Sequence, residues 1–297
     1  MRTAVLITNP KAGRGAPEQQ SEAVRCFCRL LEARGMHVEV KCTAGPNDAT
    51  RLAVEAAREG VRDVIVAGGD GTINEALQGL VGTDTRLAIW PRGTANVLGR
   101  ELRLPSELKR LAEIIAGGNV QRIYPGCAEI ERTGERRYFL LMAGIGVDAA
   151  IVDRVRPSLK RGLGQAAFWY SGLETLVRWK PRNFLVEVDG EQYPATFAAI
   201  GKSPHYGGNL SVTPRARLDR PEFEMCLIDS VDRLRYLKLL PFTLFGGIPE
   251  TMNGVSFLSA SAARVTGDDV QAQVDGELIG HLPISLTISP HPIDVVR

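Results

Sequence analysis

The chain has 297 residues, of which 36 are Lys or Arg and 34 are Asp or Glu, so its formal net charge is +2. This near balance excludes a strongly basic nucleic-acid binder, and the length is typical of two domains. The 31 glycines exceed the roughly 7% of average proteins, so their positions along the chain are informative.

No segment has the composition of a membrane span or of a disulfide framework. The longest nearly apolar stretch, residues 239–248, contains Pro241, whereas a spanning helix needs about 20 apolar residues. The five cysteines are scattered and odd in number, and the four histidines are isolated. These patterns predict a cytoplasmic protein with reduced thiols and without a Cys/His zinc site.

Strand and helix patterns alternate through the first 120 residues. Short apolar runs predict strands over residues 4–8, 37–41, 64–67 and 87–91. Helical spacing predicts helices over 18–34, 48–59, about 73–80, 95–102 and 106–116, the second of them capped by Asn47 or Asp48. Repeated βα units predict an α/β domain over residues 1–120, with a doubly wound, mostly parallel sheet between two helical layers.

The pattern changes after Gly118, where strand-like runs follow one another. They cover residues 128–132, 138–143, 184–189, 193–200, 222–229, 270–275 and 284–289, with helical insertions over about 147–179 and 231–245. Short strands joined by turns predict an antiparallel β-sandwich-like domain or a barrel over residues 121–297. Its last strand is a candidate to return to the first domain.

Three glycine-containing loops, residues 8–15, 67–75 and 90–96, each follow a predicted strand of the first domain. Glycines between a strand and a helix let backbone N–H groups approach a phosphate, and the helix N-terminus adds partial positive charge. The carboxyl ends of the strands share one sheet edge, so we expect the loops to converge there. Asp70 lies among them, and a carboxylate beside phosphates implies Mg²⁺ or proton transfer.

The motifs in these loops resemble the diacylglycerol kinase catalytic-domain family of lipid kinases, which also includes sphingosine kinases. The resemblance runs in order through nearly the whole chain. It comprises Asn9-Pro10, Gly68-Gly69-Asp70-Gly71-Thr72 with Asn74-Glu75, Pro91-x-Gly93-Thr94-Ala95-Asn96, Lys160-Arg161-x-x-Gly164, Tyr206-Gly207-Gly208 with Pro214-x-Ala216, and Gln273-Val274-Asp275-Gly276-Glu277.

The resemblance implies a lipid kinase that uses ATP and Mg²⁺ to phosphorylate the hydroxyl of diacylglycerol or a related lipid. It also implies a nucleotide site in the first domain. The residues expected to contact the nucleotide are Asn9, Thr43, Gly68, Gly69, Asp70, Gly71, Thr72, Asn74, Glu75, Gly93, Thr94 and Asn96.

Phosphoryl transfer needs a carboxylate near the attacking hydroxyl. Asp-Gly-Glu occurs twice, at residues 189–191 and 275–277, and either copy alone is more typical of a hairpin turn than of a catalytic site. Only the second lies where the family has catalytic carboxylates, so we expect Glu277 as general base. Asp275 would be its partner or a ligand of a Mg²⁺-bound water, and Asp70 would be metal-linked. In the alternative, Asp70 and Glu277 exchange roles.

Two positions depart from the family pattern. Val97 stands where the family usually has Asp after its Gly-Thr-Ala-Asn motif. Residues 219–223 read Asp-Arg-Pro-Glu-Phe where Asp-Asp-Gly-Leu-Leu is usual, and Arg220 cannot ligate the cation that some bacterial members hold there. These changes affect the metal ligands more than the class of reaction.

A basic, aromatic stretch suggests how the protein would meet a lipid. Residues 151–182 contain seven basic and two acidic side chains with interleaved aromatic ones, a pattern suited to peripheral contact with an anionic membrane surface, although a solvated helix face fits it equally. Residues 231–245 form a second candidate, for which a core helix is the favoured interpretation. No nucleic-acid-binding module is recognisable, and the oligomeric state is not encoded in any pattern.

Two other functions fit parts of the sequence. An NAD kinase shares the Gly-Gly-Asp-Gly-Thr loop but is not expected to carry the Gly-Thr-Ala-Asn loop. A non-catalytic nucleotide- or lipid-binding regulator is the third hypothesis, because of Val97.

Overall fold

The computed structural model describes residues 2–10, 16–154, 179–206, 210–244 and 247–297. Contacts between Cα atoms divide the chain into two units, Met1–Ile123 with Pro290–Arg297, and Tyr124–Ser289. The sequence predicts the boundary at residue 120.

The first unit is an α/β domain whose strands and helices alternate. Its elements are β1 (Arg2–Thr8), α1 (Pro17–Glu32), β2 (Met36–Cys42), α2 (Asp48–Arg58), β3 (Asp63–Gly68), α3 (Asp70–Leu80), β4 (Arg86–Pro91), α4 (Val97–Glu101), α5 (Leu108–Gly117), β5 (Val120–Ile123) and, from the C-terminus, β20 (Ile293–Val296).

These strands form one six-stranded sheet in the order β2-β1-β3-β4-β20-β5. The pairs β1–β2, β1–β3 and β3–β4 are parallel, and the C-terminal strand β20 is parallel to β4 and antiparallel to β5. Every residue of β3 is buried, which explains why residues 64–67 form an apolar run without alternation. The mostly parallel sheet predicted from the sequence is confirmed.

Helices cover the sheet. On one face α1 and α5 pack against the strands through a cluster that includes Phe27, Leu31 and Leu111. Helices α2 and α3 lie close together, because a Cβ atom added to Gly79 would be 2.7 Å from the carbonyl oxygen of Thr50. Asn47 is the N-cap residue of α2 but makes no capping side-chain hydrogen bond.

The second unit consists mainly of antiparallel strands. Its elements are β6 (Gly126–Ile130), β7 (Glu135–Phe139), β8 (Met142–Gly146), α6 (Val147–Arg154), β9 (Phe184–Val188), β10 (Glu191–Ala195), β11 (Phe197–Gly201), β12 (His205–Tyr206), β13 (Leu210–Ser211), β14 (Phe223–Ile228), α7 (Arg233–Leu244), β15 (Val255–Ala260), β16 (Ala262–Thr266), β17 (Gln271–Val274), β18 (Glu277–His281) and β19 (Ile284–Ile288).

Two six-stranded sheets build this unit, in the orders β10-β9-β16-β19-β6-β7 and β15-β14-β11-β8-β17-β18, beside the small pair β12–β13. Side chains from both sheets share one hydrophobic core, among them Phe139, Val186 and Leu286 from the first and Ile145 and Phe223 from the second. The β-sandwich-like domain predicted from the sequence is confirmed.

Two segments that the sequence predicts as single strands are each divided between two strands, so these two predictions were wrong. Residues 138–143 and 193–200 each contain the end of one strand and the start of another, β7 then β8 and β10 then β11. In both cases the chain passes from one sheet to the other. Both sheets pack on the same core, so the hydrophobic pattern continues across each break and does not reveal it.

The helical insertion predicted over 147–179 corresponds to α6 at its start, and residues 155–178 lie outside the described part of the chain. The second insertion corresponds to α7. Within the described ranges, no helix combines the length and the apolar character that a membrane span requires.

Candidate functional site

The three predicted loops begin at one edge of the first sheet, where β1, β3 and β4 end. Backbone hydrogen bonds connect the starts of these loops, from Asn9 N to Ala67 O at 3.2 Å and from Arg92 N to Gly68 O at 2.8 Å. The segment after β2 joins the same edge, because Thr43 N donates to Thr8 O at 2.9 Å. Residues 11–15 of the first loop lie outside the described residues.

The second and third loops approach each other so closely that glycine is required. A Cβ atom added to Gly93 would lie 2.6 Å from the Cα atom of Gly69, and one added to Gly69 would lie 3.2 Å from the Cα atom of Gly93. Backbone contact at this distance leaves no room for a side chain, so these glycines keep the two loops together at the sheet edge.

Asn96 closes the third loop. It adopts the left-handed conformation, with φ of 46°, which asparagine tolerates better than most residues. Its Oδ1 atom accepts the N–H of Gly93 at 2.7 Å, and its Nδ2 atom donates to the carbonyl of Gly93 at 2.8 Å. Both ends of this amide therefore bind the loop itself, while Thr94 is exposed at the loop tip.

Asp70 is the first residue of α3, and its carboxylate binds the start of α4. One oxygen accepts the N–H of Val97 at 3.1 Å and the other accepts the N–H of Leu98 at 3.2 Å. Val97, the residue that departs from the family pattern, is buried. It contributes to the position of Asp70 through its backbone N–H. Each oxygen of Asp70 keeps lone-pair capacity for a further partner.

A cavity of about 260 Å³ lies beside this edge. It is lined by Asn9, Thr72, Glu75, Thr43 and the segment 44–46. Asn9 Nδ2 donates to Thr72 Oγ1 at 3.3 Å, which links the first loop to α3. The cavity thus brings together four residues that were predicted to contact a nucleotide, and the segment 44–46 adds a wall that the sequence did not indicate.

Asn74 is not at this cavity. It is buried, and its Oδ1 atom accepts a hydrogen bond from Gln78 Nε2 at 3.1 Å. The predicted contact between Asn74 and a nucleotide therefore stays a prediction, and the contacts seen here belong to the packing of α3.

Arg92 is a residue of this edge that the sequence analysis did not single out. Its guanidinium lies 4.8 Å from the centre of the Trp90 ring, and burial lowers its pKa from the usual arginine value. Among the described residues of the three loops it is the only cationic side chain. Its position inside the Pro-x-Gly motif could have marked it as a candidate to contact phosphate.

Asp275 lies in the turn between β17 and β18. Its carboxylate accepts the backbone N–H groups of Leu140 at 2.8 Å, Leu141 at 2.9 Å and Met142 at 3.0 Å. Leu140 and Leu141 connect β7 to β8, and Met142 begins β8, so these N–H groups are satisfied where the chain changes sheets. Asp275 is thus tied to the backbone of the second unit.

Glu277 is the first residue of β18. Its carboxylate forms an ion pair with the guanidinium of Arg137 on β7, and the Glu277 side chain keeps 39% of its surface exposed. Arg137 was not predicted, because no local pattern connects residues 140 positions apart. The pair holds the Glu277 carboxylate in a defined direction while leaving it open to solvent.

The loop over residues 217–222, which contains Arg220, surrounds a buried ammonium. Lys202 is fully buried, and its Nζ atom donates to the carbonyl of Arg217 at 3.1 Å, to that of Glu222 at 2.9 Å and to that of Arg220. Desolvation lowers the pKa of Lys202 to about 8, against the attraction of Glu222 and Asp219. These loop carbonyls therefore receive their positive partner from the protein itself.

The acidic side chains of this loop are engaged with arginines. Arg217 pairs with Asp219 at 2.8 Å, and Arg220 pairs with Glu222 at 3.4 Å. Across the ranges that the structure describes, no group of three or more His, Cys, Asp or Glu side chains is arranged to hold a metal ion.

Most of the predicted basic stretch 151–182, including the motif at residues 160–164, lies outside the described residues, as do Gly207 and Gly208. At its described end, the Trp179 ring packs edge-on against Tyr236 of α7, with 5.2 Å between the ring centres. Lys180 and Arg182 are exposed there, and Arg182 pairs with Asp269 at 2.9 Å.

Comparisons with known proteins agree with this architecture. The family model of the diacylglycerol kinase catalytic domain matches residues 3–128, and that of the YegS C-terminal NAD kinase beta sandwich-like domain matches residues 142–297. Each match falls mainly on one of the two units.

Similar proteins cover almost the whole chain. A diacylglycerol kinase of Mycobacterium tuberculosis (strain ATCC 25618 / H37Rv) is 30% identical over 295 residues, with 98% of this chain and 94% of the relative covered. One of Bacillus subtilis (strain 168) is 29% identical over 291 residues, with 95% and 92% covered. The crystal structure of a diacylglycerol kinase from Bacillus anthracis str. Sterne has a similar fold, with a TM-score of 0.75 at 21% identity and 99% and 96% coverage.

Proposed function

Since the chain belongs to the diacylglycerol kinase family of lipid kinases, we propose that it transfers the γ-phosphoryl group of ATP to the hydroxyl of diacylglycerol or a closely related lipid, with Mg²⁺ as the cation. Membership in the family makes the protein a phosphotransferase. The proposal covers the identities of the lipid, the nucleotide and the metal. It also places the protein at the cytoplasmic face of a membrane.

The observation that carries the proposal is the convergence of the loops at the carboxyl edge of β1, β3 and β4, beside the cavity lined by Asn9, Thr43, Thr72 and Glu75. Glycine loops followed by helix N-termini present backbone N–H groups to phosphate oxygens. The guanidinium of Arg92 adds a fixed positive charge at the same edge. These features support a nucleotide whose phosphates lie over the loops and whose remaining part fills the cavity.

The carboxylates of Asp70 and Asp275 are the candidates to hold Mg²⁺. Both are oxygen donors of the kind that Mg²⁺ prefers. Asp70 accepts two backbone hydrogen bonds, one on each oxygen, whereas Asp275 accepts three, so Asp70 retains more unshared lone pairs. We therefore assign Asp70 to the metal, which when bound would neutralise charge on the transferred phosphoryl group.

Glu277 is the proposed general base. In the reaction the lipid hydroxyl oxygen forms a bond to the γ-phosphorus, the bond from that phosphorus to the bridging oxygen breaks, and the hydroxyl proton passes to Glu277. Arg137 would keep the carboxylate oriented, and Asp275 would hold the turn that carries it. The exposed fraction of Glu277 is compatible with access by a substrate hydroxyl.

A phosphoryl-transfer assay tests the proposal. The purified protein is incubated with γ-labelled ATP and Mg²⁺, and with diacylglycerol, monoacylglycerol, sphingosine, ceramide, phosphatidylglycerol or NAD. We expect label in the diacylglycerol product and its loss when EDTA removes the metal. Transfer to another lipid would correct the substrate, transfer to NAD alone would favour an NAD kinase, and the absence of transfer to any acceptor would refute the proposal.

A further inference from the structure

Helix α7 of the second unit has two apolar faces. One face is buried through Tyr236, Leu239 and Thr243. The Tyr236 hydroxyl is hydrogen-bonded to Thr196 Oγ1 at 2.5 Å, and its ring packs against Trp179 and Phe197. This face fixes the helix on the β-sheets, so the opposite face is presented in a defined direction.

The opposite face carries exposed hydrophobic side chains. Leu234 is 62% exposed and Phe242 is 41% exposed, and the flanking Val231 and Leu244 are 70% and 40% exposed. These are four of the eight large hydrophobic side chains that are exposed in the described part of the chain. Such clustering within 14 residues marks an interaction surface, since isolated exposed hydrophobic residues are ordinary.

The spacing places three exposed side chains of α7 on one stripe. Leu234, Lys238 and Phe242 are four residues apart, so they lie above one another along the helix. Residues 231–244 contain Arg233, Arg235 and Lys238 against the single acid Asp232, a net charge of 3 − 1 = +2. We call the exposed stripe of Leu234, Lys238 and Phe242 the α7 face, which Val231 and Leu244 flank.

We propose that the α7 face is the surface with which the protein rests on an anionic lipid bilayer. The proposal builds on the proposed function, because a lipid kinase must reach a substrate that resides in a bilayer. Apolar side chains on a convex helix, with a lysine between them, suit insertion into the headgroup region, where the lysine stem is covered and its ammonium reaches lipid phosphates. The positive charge of this segment complements anionic headgroups.

The sequence analysis gave residues 151–182 as the first candidate for membrane contact. It interpreted the second candidate, residues 231–245, as a core helix. That interpretation is right for the face with Tyr236 and Leu239 and wrong for the α7 face. An apolar pattern on both sides of a helix normally indicates complete burial. Only the exposure of Leu234 and Phe242 separates the two faces.

Vesicle flotation of the full-length protein tests the proposal without any kinase assay. The vesicles contain phosphatidylcholine alone or with about 30% phosphatidylglycerol. The variant L234Q/F242Q changes the α7 face, and V120Q/L185Q is the matched control, because Val120 and Leu185 are 43% and 40% exposed elsewhere. We expect L234Q/F242Q to weaken binding to anionic vesicles at least tenfold and V120Q/L185Q to leave it unchanged. K238Q should reduce binding to anionic vesicles at low salt, and the difference from the wild type should disappear at high salt, which screens the charge of Lys238.

Equal binding by the wild type and L234Q/F242Q would overturn the proposal, as would a wild type that binds neither kind of vesicle. A change in oligomeric state of L234Q/F242Q with unaltered vesicle binding would assign the face to a second copy of the chain instead. Phosphorylation of short-chain, monomeric lipid alcohols separates this proposal from the proposed function. L234Q/F242Q should retain that activity. If the wild type does not phosphorylate these lipid alcohols, the proposed function is refuted, while the flotation result still stands.

Discussion

The tripeptide Asp-Gly-Glu occurs at residues 189–191 and again at 275–277, and the two copies have the same local backbone. Each connects two antiparallel strands through a two-residue turn, with φ of 51° and 84° in the first and 48° and 84° in the second. Positive φ at both central positions is the pattern of a type I′ turn. Local sequence therefore determines local conformation equally in both places.

The surroundings of the two turns differ. Asp189, Gly190 and Glu191 are exposed, and the Glu191 carboxylate accepts a hydrogen bond from the Tyr193 hydroxyl two residues away. The second copy is bound by distant parts of the chain, Asp275 by three backbone N–H groups and Glu277 by Arg137. The difference between a plain turn and a candidate catalytic group thus arises from tertiary contacts.

The largest expected difference between the copies is in catalysis. Glu277→Gln should lower turnover by about a thousandfold, because an amide cannot accept the hydroxyl proton, while Glu191→Gln should leave it unchanged. Steady-state rates with saturating ATP and lipid measure the effect, and nucleotide affinity should stay near that of the wild type in both variants. Full activity of Glu277→Gln together with an inactive Asp70→Asn would make Asp70 the base.

The next difference is in stability. Asp275→Asn keeps a residue that tolerates positive φ but replaces one acceptor oxygen by an amide group that faces backbone donors. We expect it to lower the free energy of unfolding by roughly 3 to 4 kcal/mol, and Asp189→Asn to change it by less than about 0.5 kcal/mol. Urea titrations of both variants give the comparison. Equal losses would mean that the contacts of Asp275 contribute little beyond the turn.

Lys202 extends the comparison to the opposite charge, since its ammonium binds three backbone carbonyls much as Asp275 binds three backbone N–H groups. Its pKa is lowered from 10.5 to about 8 by burial. Below pH 8 the lysine is protonated in both states and the folded state bears the desolvation cost. Between pH 8 and 10.5 the unfolded chain binds more protons, so the free energy of unfolding rises with pH.

Measured against Lys202→Met, which removes the titrating group, this rise should reach about 3 kcal/mol by pH 10.5. Urea unfolding of both proteins at several pH values gives the difference in their free energies of unfolding. The contributions of the other titrating groups cancel in this difference. A difference that stays constant over this range would show that the three carbonyls keep the proton on Lys202 and that desolvation does not lower its pKa.

Much of the fold and part of the site could be predicted, because the signals are local. The parallel sheet follows from apolar runs alternating with helical spacing, and the glycine loops mark the ends of β1, β3 and β4. The breaks after Phe139 and Ala195 could not be predicted, since each chain segment stays on the same core when it changes sheets. Arg137 and Lys202 were missed for a related reason. The partner of Arg137 is far away in the sequence, and the partners of Lys202 are backbone carbonyls, which are the same at every position and leave no signal in the sequence.

The smallest expected effect tests whether the two turns are truly equivalent in backbone. A Cβ atom added to Gly190 or to Gly276 would meet no atom within 4 Å, and both glycines have φ of 84°. Gly190→Ala and Gly276→Ala should therefore each lower the free energy of unfolding by about 1 kcal/mol, from left-handed strain alone. Urea titrations of the two variants should agree within about 0.5 kcal/mol. A clearly larger loss for Gly276→Ala would mean that the turn at 275–276 is strained by its contacts with Leu140 to Met142, so that tertiary structure alters the turn itself as well as its surroundings.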